Sequence, residues 1–298
     1  MRVRQAGLAL ALVAALTSCG STSPMARSRV MSELGIFEPG VPESYTPVGN
    51  FTAMSGVRPN LDVYYSGWYE PFRAAFAAEA ARHGAVTLVQ IDPAGINLAA
   101  IAAGSYDTYL RTYARAVRSY GRKVILSFGH EMNASWYSWG LTHTPPATFV
   151  AAWRRIVTVF RAAGARNVTW LWTVNVTGSS RAAPIAPWWP GDNYVTWVGI
   201  DGYFYGMSQT FGTLFGPTIT AVRALSGVPV LIAETGAAPA AGKPAKIASV
   251  FSGVHAYGLL GFVWFDADTN QDWRISDDPA ALAALRKGEA AYTKRQPS

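Results

Sequence analysis

Residues 106–131, YDTYLRTYARAVRSYGRKVILSFGHE, contain one complete copy of the pattern that decides the fold. Apolar residues recur at helical spacing from Tyr106 to Tyr120, and a glycine follows at the position that helix C-termini favour. The continuous apolar run Val124–Phe128 then predicts a strand that is buried on both faces. After one glycine, two polar residues follow it, His130 and Glu131. This stretch therefore predicts a helix, then a buried strand, then polar residues at the C-terminal end of that strand.

The same alternation of apolar runs and helical patterns recurs along most of the chain. Eight runs predict strands, namely Leu34–Phe37, Leu61–Tyr65, Val86–Ile91, Val124–Phe128, Val168–Thr173, Thr196–Ile200, Val230–Ala233 and Gly261–Phe265. Helical patterns include Glu70–His83, Tyr106–Tyr120, Pro146–Ala163, Thr213–Leu225, Lys243–Tyr257 and Pro279–Thr293. Eight such units favour a closed barrel over an open doubly wound sheet. We therefore predict an α/β protein with a single-domain (β/α)8 TIM barrel over residues 33–298.

The first 32 residues are predicted to lie outside the barrel. Residues 1–19 contain two arginines, a short apolar stretch and Cys19, an arrangement typical of a bacterial lipoprotein signal peptide whose cysteine is lipidated. Residues 20–32 are predicted to form a polar tether. Because Cys19 is the only cysteine of the chain, an internal disulfide is excluded. The segment predicts an exported protein, either a cell-surface lipoprotein or, without lipidation, a secreted protein.

Composition and charge indicate a compact protein without a nucleic-acid partner. Apolar residues make up 50% of the chain and charged residues only 14%, which excludes intrinsic disorder. The net charge is +7, but the basic residues are scattered in pairs such as Arg154-Arg155 rather than gathered in a run. We expect a monomer that contacts the membrane only through a lipid on Cys19.

Two motifs resemble metal sites but depart from them at required positions. His130-Glu131 would begin a zinc-protease helix, yet Ala134 stands where that motif needs its second histidine. Asp266–Asp277 resembles a calcium loop, but its sixth residue is Gln271 and its last is not a glutamate. Ordinary polar capping of this loop is the favoured interpretation and calcium the lesser one. We expect no metal and no cofactor.

Two of the eight glutamates, Glu131 and Glu234, directly end predicted buried strands. Barrel enzymes carry their chemistry at the C-terminal ends of the strands, so both carboxylates are expected at the functional rim. A buried carboxylate without a partner is costly, and its presence therefore requires a partner or a task. Two facing carboxylates suit the cleavage of glycosidic bonds. Structural ion pairs with arginines are the alternative that these residues alone leave open.

Three stretches together resemble glycoside hydrolase family 26, whose members include β-mannanases and mixed-linkage β-glucanases. They are residues 130–140 (HEMNASWYSWG), residues 201–203 (DGY) and residues 233–236 (AETG), on the fourth, sixth and seventh predicted strands. The resemblance covers about residues 34–290. It implies a TIM-barrel endo-β-glycosidase of the retaining class, which hydrolyses O-glycosyl bonds of a polysaccharide such as β-1,4-mannan or β-1,3-1,4-glucan.

The resemblance also implies roles for individual side chains. Glu131 would be the general acid/base and Glu234 the nucleophile. The residues implied in binding the substrate are His130, Trp136, Asn175, Asp201, Tyr203 and Trp264. Ser127 and Phe265 replace arginines that are common in the family. The alternative from another class is a polysaccharide-binding lipoprotein on an inactive barrel, and the retention of both glutamates argues against it.

Overall fold

The computed structural model describes residues 31–178 and 181–293. They form a closed barrel of eight parallel strands in chain order, with the first strand paired to the eighth. The strands are β1 (Glu33–Phe37), β2 (Leu61–Gly67), β3 (Val86–Asp92), β4 (Val124–Phe128), β5 (Val168–Asn175), β6 (Trp197–Phe204), β7 (Val230–Ala237) and β8 (Gly261–Phe265). The prediction of an α/β class and a (β/α)8 TIM barrel is confirmed. The predicted signal peptide and Cys19 lie outside the described residues.

Helices surround the barrel and connect most of its strands. They are α1 (Thr46–Ser55), α2 (Ala74–Arg82), α3 (Leu98–Ala102), α4 (Asp107–Tyr120), α5 (Pro146–Ala162), α6 (Phe211–Leu225), α7 (Lys243–Ala256) and α8 (Pro279–Thr293). Helix α2 begins at Ala74, four residues later than predicted: Pro71 disfavours helical backbone in Glu70, and Arg73, just before the helix, has a non-helical ψ of 70°. Within the two described ranges, none of the helices could cross a membrane.

The barrel interior has two layers of side chains with different character. The lower layer is apolar and consists of Val63, Leu88, Ile125, Leu171, Leu231 and Val263, all buried. Because side chains alternate along a strand, residues two positions further on face the same interior. On β2 to β5 these residues are Tyr65, Gln90, Ser127 and Thr173, and they form the upper layer together with Asp201 of β6 and Glu234 of β7. The upper layer lies at the C-terminal ends of the strands and forms the floor of the functional face.

A register shift between β6 and β7 brings Glu234 into the interior. Ile200 pairs with Ile232, but the next residue, Asp201, pairs with Glu234, so that Ala233 is skipped. Ala233 belongs to the interior cluster, and strict alternation would turn the residue after it towards the helices. The bulge resets this alternation, as bulges beside active sites commonly do. Glu234 therefore faces the same side as Asp201.

Candidate active site

A cleft of about 1170 Å³ opens at the C-terminal ends of the strands. Both predicted catalytic residues, Glu131 and Glu234, line it. Predicted binding residues His130, Trp136, Asn175 and Tyr203 line it as well. Further lining side chains come from loops and strand ends and include Phe37, Tyr65, Tyr137, Arg181, Tyr205, Phe265 and Trp273. The rim therefore combines carboxylates, aromatic rings and amides in one concave surface, which is typical of a ligand site.

The backbone after β4 places Glu131 in the cleft. Gly129 and Glu131 both have positive φ, 55° and 54°. For a glutamate this left-handed conformation is strained, and such strain is concentrated at functional sites. The Glu131 N–H donates to the Thr173 carbonyl at 2.9 Å, which ties the turn to β5. Adding a side chain at Gly129 would crowd Phe149 and Trp139, so the tight turn also requires its glycine.

The carboxyl group of Glu131 is buried and held at both oxygens. Asn175 Nδ2 donates to Oε1 at 2.6 Å, and Trp136 Nε1 donates to Oε2 at 2.6 Å. Burial and the negative charge of Glu234 raise the pKa of Glu131 to about 7, although His130 and the two hydrogen bonds counteract them. Near neutral pH this carboxyl group can therefore both hold and release a proton.

The carboxylate of Glu234 has a different environment, formed by two tyrosine hydroxyls. Tyr65 Oη donates to Oε1 at 2.5 Å, and Tyr203 Oη donates to Oε2 at 2.8 Å. Burial and the charge of Glu234 raise the pKa of both tyrosines well above the ordinary value. Both hydroxyls therefore stay protonated and continue to donate. Each oxygen of Glu234 thus accepts one hydrogen bond from a tyrosine.

His130 is buried between the floor of the cleft and its wall. Its Nδ1 lies 3.0 Å from Asp92 Oδ1, and its Nε2 lies 3.1 Å from the hydroxyl of Tyr137. Burial lowers the pKa of His130, but the charges of Asp92, Glu234 and Glu131 outweigh it and raise the value to about 9. The ring is therefore positively charged at neutral pH, next to both glutamates.

The structure corrects two of the predicted binding residues. Trp264 is 1% exposed, and its indole N–H donates to the Trp273 carbonyl at 3.0 Å. Val263 and Phe265 face the interior, so alternation turns Trp264 towards the helices, where no sugar can stack on it. Asp201 is fully buried and is not among the lining residues. It lies behind the glutamates, and burial and the charge of Glu234 raise the pKa of Asp201 well above its ordinary value.

The sequence analysis missed three residues of the site, of which Tyr65 and Tyr137 line the cleft. Tyr65 is the last residue of the second apolar run, Leu61–Tyr65, and could have been found by attention to the strand ends. Tyr137 stands inside the quoted stretch 130–140, but nothing in the sequence pairs it with His130. Asp92 ends β3, and its importance depends on the contact with His130, which only the fold creates.

The described ranges contain no group of three or more His, Cys, Asp or Glu side chains that could hold a metal ion. In the calcium-like loop, Asp266–Asp277, three of the carboxylates form ion pairs with an arginine. Arg274 forms ion pairs with Asp268, Asp272 and Asp277 at 3.7, 2.9 and 3.3 Å. Asp272 has a second cationic neighbour, because Lys243 Nζ lies 3.9 Å from its Oδ1. These acidic side chains therefore serve to order the loop.

Comparison with known proteins finds similar sequences and similar folds. The family model described as glycosyl hydrolase family 26 matches residues 112–273. Over 267 residues, 85% of this chain, the sequence is 30% identical to Endoglucanase H of Acetivibrio thermocellus. The chain spans only 30% of the length of that relative.

Two solved structures show similarity at the level of the fold. The YdhT protein from Bacillus subtilis has a TM-score of 0.70 at 14% identity, with 88% of this chain and 87% of that chain covered. The Bacillus subtilis mannanase BCman has a TM-score of 0.66 at 18% identity, with 87% and 85% covered. At these low sequence identities the similarity shows a shared fold only. The chemistry has to be argued from the residues of the cleft.

Proposed function

The chain belongs to glycosyl hydrolase family 26, and from this premise we propose that it is a retaining endo-β-glycosidase. Its substrate is a β-linked polysaccharide, with β-1,4-mannan and β-1,3-1,4-glucan as the two candidates. The names of its relatives, an endoglucanase and a mannanase, support this class. The observation that carries the proposal is the presence, in one cleft, of two glutamates in unlike environments.

In the first step, the carboxylate of Glu234 attacks the anomeric carbon while Glu131 gives its proton to the leaving oxygen. Burial and the charge of Glu234 raise the pKa of Glu131 to about 7, which keeps that proton available at neutral pH. The two tyrosine hydroxyls donate to the oxygens of Glu234 and orient them. The bond to the leaving sugar breaks, and an ester between the sugar and Glu234 forms.

In the second step, water hydrolyses this ester and Glu131 acts as the base. Esterification removes the charge of Glu234, which is a cause of the raised pKa of Glu131. Glu131 then becomes a stronger acid and is ionised, so it can accept a proton from the incoming water. The released sugar keeps its β configuration, and both glutamates return to their starting states.

Aromatic side chains supply the surfaces on which sugar rings would stack. Trp136 is 41% exposed, and its indole N–H is anchored on Glu131, which fixes the ring beside the acid. Tyr205 is 52% exposed and lies 5.4 Å, ring to ring, from Trp273. Rings of this kind bury the C–H faces of sugars. The two exposed aromatics belong to different loops, as an extended chain of several sugars requires.

Substitution of the two glutamates tests the mechanism. Glu131→Ala and Glu234→Ala should each abolish turnover of the polysaccharide while the circular dichroism spectrum stays that of the wild type. With an activated aryl glycoside and azide, Glu234→Ala should give the α-glycosyl azide and Glu131→Ala the β-glycosyl azide. The matched control is Asp107→Asn, which removes a carboxylate that pairs with Arg155 on the outer helices. Turnover at the wild-type rate by either alanine variant would refute the proposal.

The substrate is identified by incubation with a panel of polysaccharides and chromatographic sizing of the products. We expect soluble oligosaccharides of mixed length from mannan or mixed-linkage glucan, because the cleft is open and endo cleavage produces such mixtures. Release of single sugars from chain ends alone would contradict endo action.

We further propose that the protein is exported and anchored to the membrane by a lipid on Cys19, and that it acts as a monomer. The support is the sequence of residues 1–19, which combines basic, apolar and cysteine signals in the order of a lipoprotein leader. Labelling with a radioactive fatty acid should mark the wild type and leave Cys19→Ser unmarked. Equal labelling of both proteins would contradict the anchor.

A further inference from the structure

Asp92 contacts His130, the residue before Glu131, and has no part in the two steps described above. It is the last residue of β3, and its side chain is 25% exposed. The 3.0 Å contact between Asp92 Oδ1 and His130 Nδ1 is an ion pair rather than a linear hydrogen bond. On the other side of the ring, Nε2 lies 3.1 Å from the Tyr137 hydroxyl. Asp92, His130 and Tyr137 therefore form one continuous chain of contacts that ends in the cleft.

The backbone around this chain is fixed on both sides. The Trp68 N–H donates to the Asp92 carbonyl at 3.1 Å, and the Gly129 N–H donates to the Ile91 carbonyl at 2.9 Å. The indole N–H of Trp139 donates to the His130 carbonyl at 2.8 Å. The ring of Tyr137 stacks on Trp139 at 4.3 Å between centroids. These contacts fix the backbone positions of Asp92 and His130 and the ring of Tyr137, which preorganises the arrangement.

The charges around His130 come from several elements and are mostly negative. The titratable groups that face it are Tyr65 from β2, Asp92 from β3, the adjoining Glu131, Tyr137 from the following loop and Glu234 from β7. Burial lowers the pKa of His130, whereas the carboxylates raise it to about 9. Asp92 is the only one of these carboxylates that contacts the ring without a role in bond cleavage.

We propose that Asp92 is a positioning residue that keeps His130 doubly protonated and thereby makes Tyr137 a hydrogen-bond donor towards the sugar in the cleft. A charged His130 has an N–H on both ring nitrogens, so its Nε2 must donate to the Tyr137 oxygen. The Tyr137 hydroxyl proton is then directed away from His130, into the cleft that this side chain lines. A neutral His130 with its proton on Nδ1 would reverse this polarity, because its Nε2 would accept the Tyr137 proton.

The first experiment measures protonation directly and needs no substrate. Nitrogen-15 chemical shifts of the four histidines are recorded between pH 5 and 10, and His130 is assigned from a His130→Gln sample. Both ring nitrogens of His130 should be protonated at pH 7.5 in the wild type. In Asp92→Asn the ring should titrate at least two pH units lower, so that it is largely neutral at pH 7.5. A neutral His130 in the wild type at pH 7.5 would overturn the proposal even if Asp92→Asn failed to fold.

The second experiment connects this charge to turnover and rests on the proposed function. Asp92→Asn should lower kcat/KM about tenfold through the lost Tyr137 donor. Because charged His130 lowers the pKa of Glu131, its neutralisation should also move the alkaline limb of the kcat/KM profile to higher pH. Tyr137→Phe should lower kcat/KM to a similar extent, and adding Asp92→Asn to it should lower kcat/KM little further.

The outcomes separate this inference from the glycosidase assignment. Asp107→Asn, the matched control outside the cleft, should leave the pH profile unchanged. An unchanged alkaline limb in Asp92→Asn, or fully additive effects of the two substitutions, would overturn the role of Asp92 while the enzyme remains a glycosidase. Failure to cleave any polysaccharide would refute the proposed function and leave the nitrogen-15 result to decide the state of His130.

Discussion

The lower and upper layers of the barrel interior come from the same strands and serve different purposes. Leu88 and Leu171 belong to the lower layer, and their side chains are fully buried among other apolar groups. Two residues further along the same strands stand Gln90 and Thr173, which are equally buried but polar. The lower layer stabilises the barrel by removing apolar surface from water. The upper layer gives up part of that stabilisation and gains groups that can do chemistry.

The two layers also differ in how completely their groups are satisfied. The amide of Gln90 has no hydrogen-bond partner for either polar atom among the residues that the structure describes. Glu131 and Glu234 are held by four donated hydrogen bonds, yet their charges oppose one another in a buried site. Stability and activity should therefore respond in opposite ways to substitutions in the two layers.

The largest expected effect is the loss of activity in Glu234→Ala. Removal of the nucleophile should lower kcat at least about a thousand-fold, which corresponds to about 4 kcal/mol of transition-state stabilisation. The melting temperature should stay the same or rise, since Glu234 no longer repels the buried carboxyl groups of Glu131 and Asp201. Kinetics and calorimetry on one sample check both parts. A large fall in melting temperature would show that the upper layer also stabilises the barrel.

Leu171→Ala tests the lower layer, with the next largest effect. This side chain is fully buried, and its truncation should lower the free energy of unfolding by about 2 to 5 kcal/mol. The rate per folded molecule should remain within a few-fold of wild type, because no atom of the cleft is removed. Urea denaturation combined with active-site titration measures both. Loss of activity in the folded fraction would mean that the two layers are not independent.

The pair Glu38 and Asp266, at the ends of β1 and β8, should make stability depend on pH. Burial and the charge of Asp266 raise the pKa of Glu38 from 4.5 to about 9. The folded chain thus holds a proton that the unfolded chain releases, and its stability falls as pH rises between these values. Glu38→Gln stays neutral, so at pH 9 its melting temperature should exceed that of the wild type by roughly 5 °C.

At pH 5 the melting temperatures of Glu38→Gln and the wild type should nearly coincide, because Glu38 is protonated in the folded wild type. The matched control is Glu43→Gln, whose side chain is 67% exposed and which should show no such dependence. A difference that is equal at pH 5 and pH 9 would contradict a protonated Glu38 in the folded protein.

The smallest expected effect is a gain of stability in Gln90→Met. Methionine has a similar length, and it replaces a buried amide that has no partner within the described ranges. The free energy of unfolding should increase by about 1 kcal/mol. The measurement is thermal unfolding, and the contrasting variant is Gln209→Met. The amide oxygen of Gln209 accepts from two backbone N–H groups, so its loss should lower the melting temperature. A lower melting temperature for Gln90→Met would indicate a Gln90 satisfied by buried water.

Much of the barrel could be predicted because parallel strands that are buried on both faces consist of continuous apolar runs. Each of the eight predicted strands is present, and the rule that chemistry follows the strands located both Glu131 and Glu234. The face on which a side chain lies was harder to predict. Trp264 was expected in the cleft, but it alternates with Val263 and Phe265 and therefore points outward.

Features that depend on contacts between distant segments could not be predicted. The bulge that turns Glu234 inward is defined by pairing with β6 and leaves no mark in the sequence of β7. The contact between Asp92 and His130 joins residues that are 38 positions apart in sequence, and either could have been an ordinary polar residue at a strand end. Asp201 matches the family pattern, yet it is buried behind the glutamates rather than exposed to a sugar.

The central claim is that Glu234 forms a covalent bond with the sugar while Glu131 handles the proton. The most direct test is to incubate the protein with 2-deoxy-2-fluoro glycosides of glucose-based and mannose-based disaccharides and to map the labelled peptide by mass spectrometry. The account predicts one sugar per molecule, attached to the peptide at Glu234. Turnover of these compounds without any attached sugar, or attachment at another residue, would contradict it.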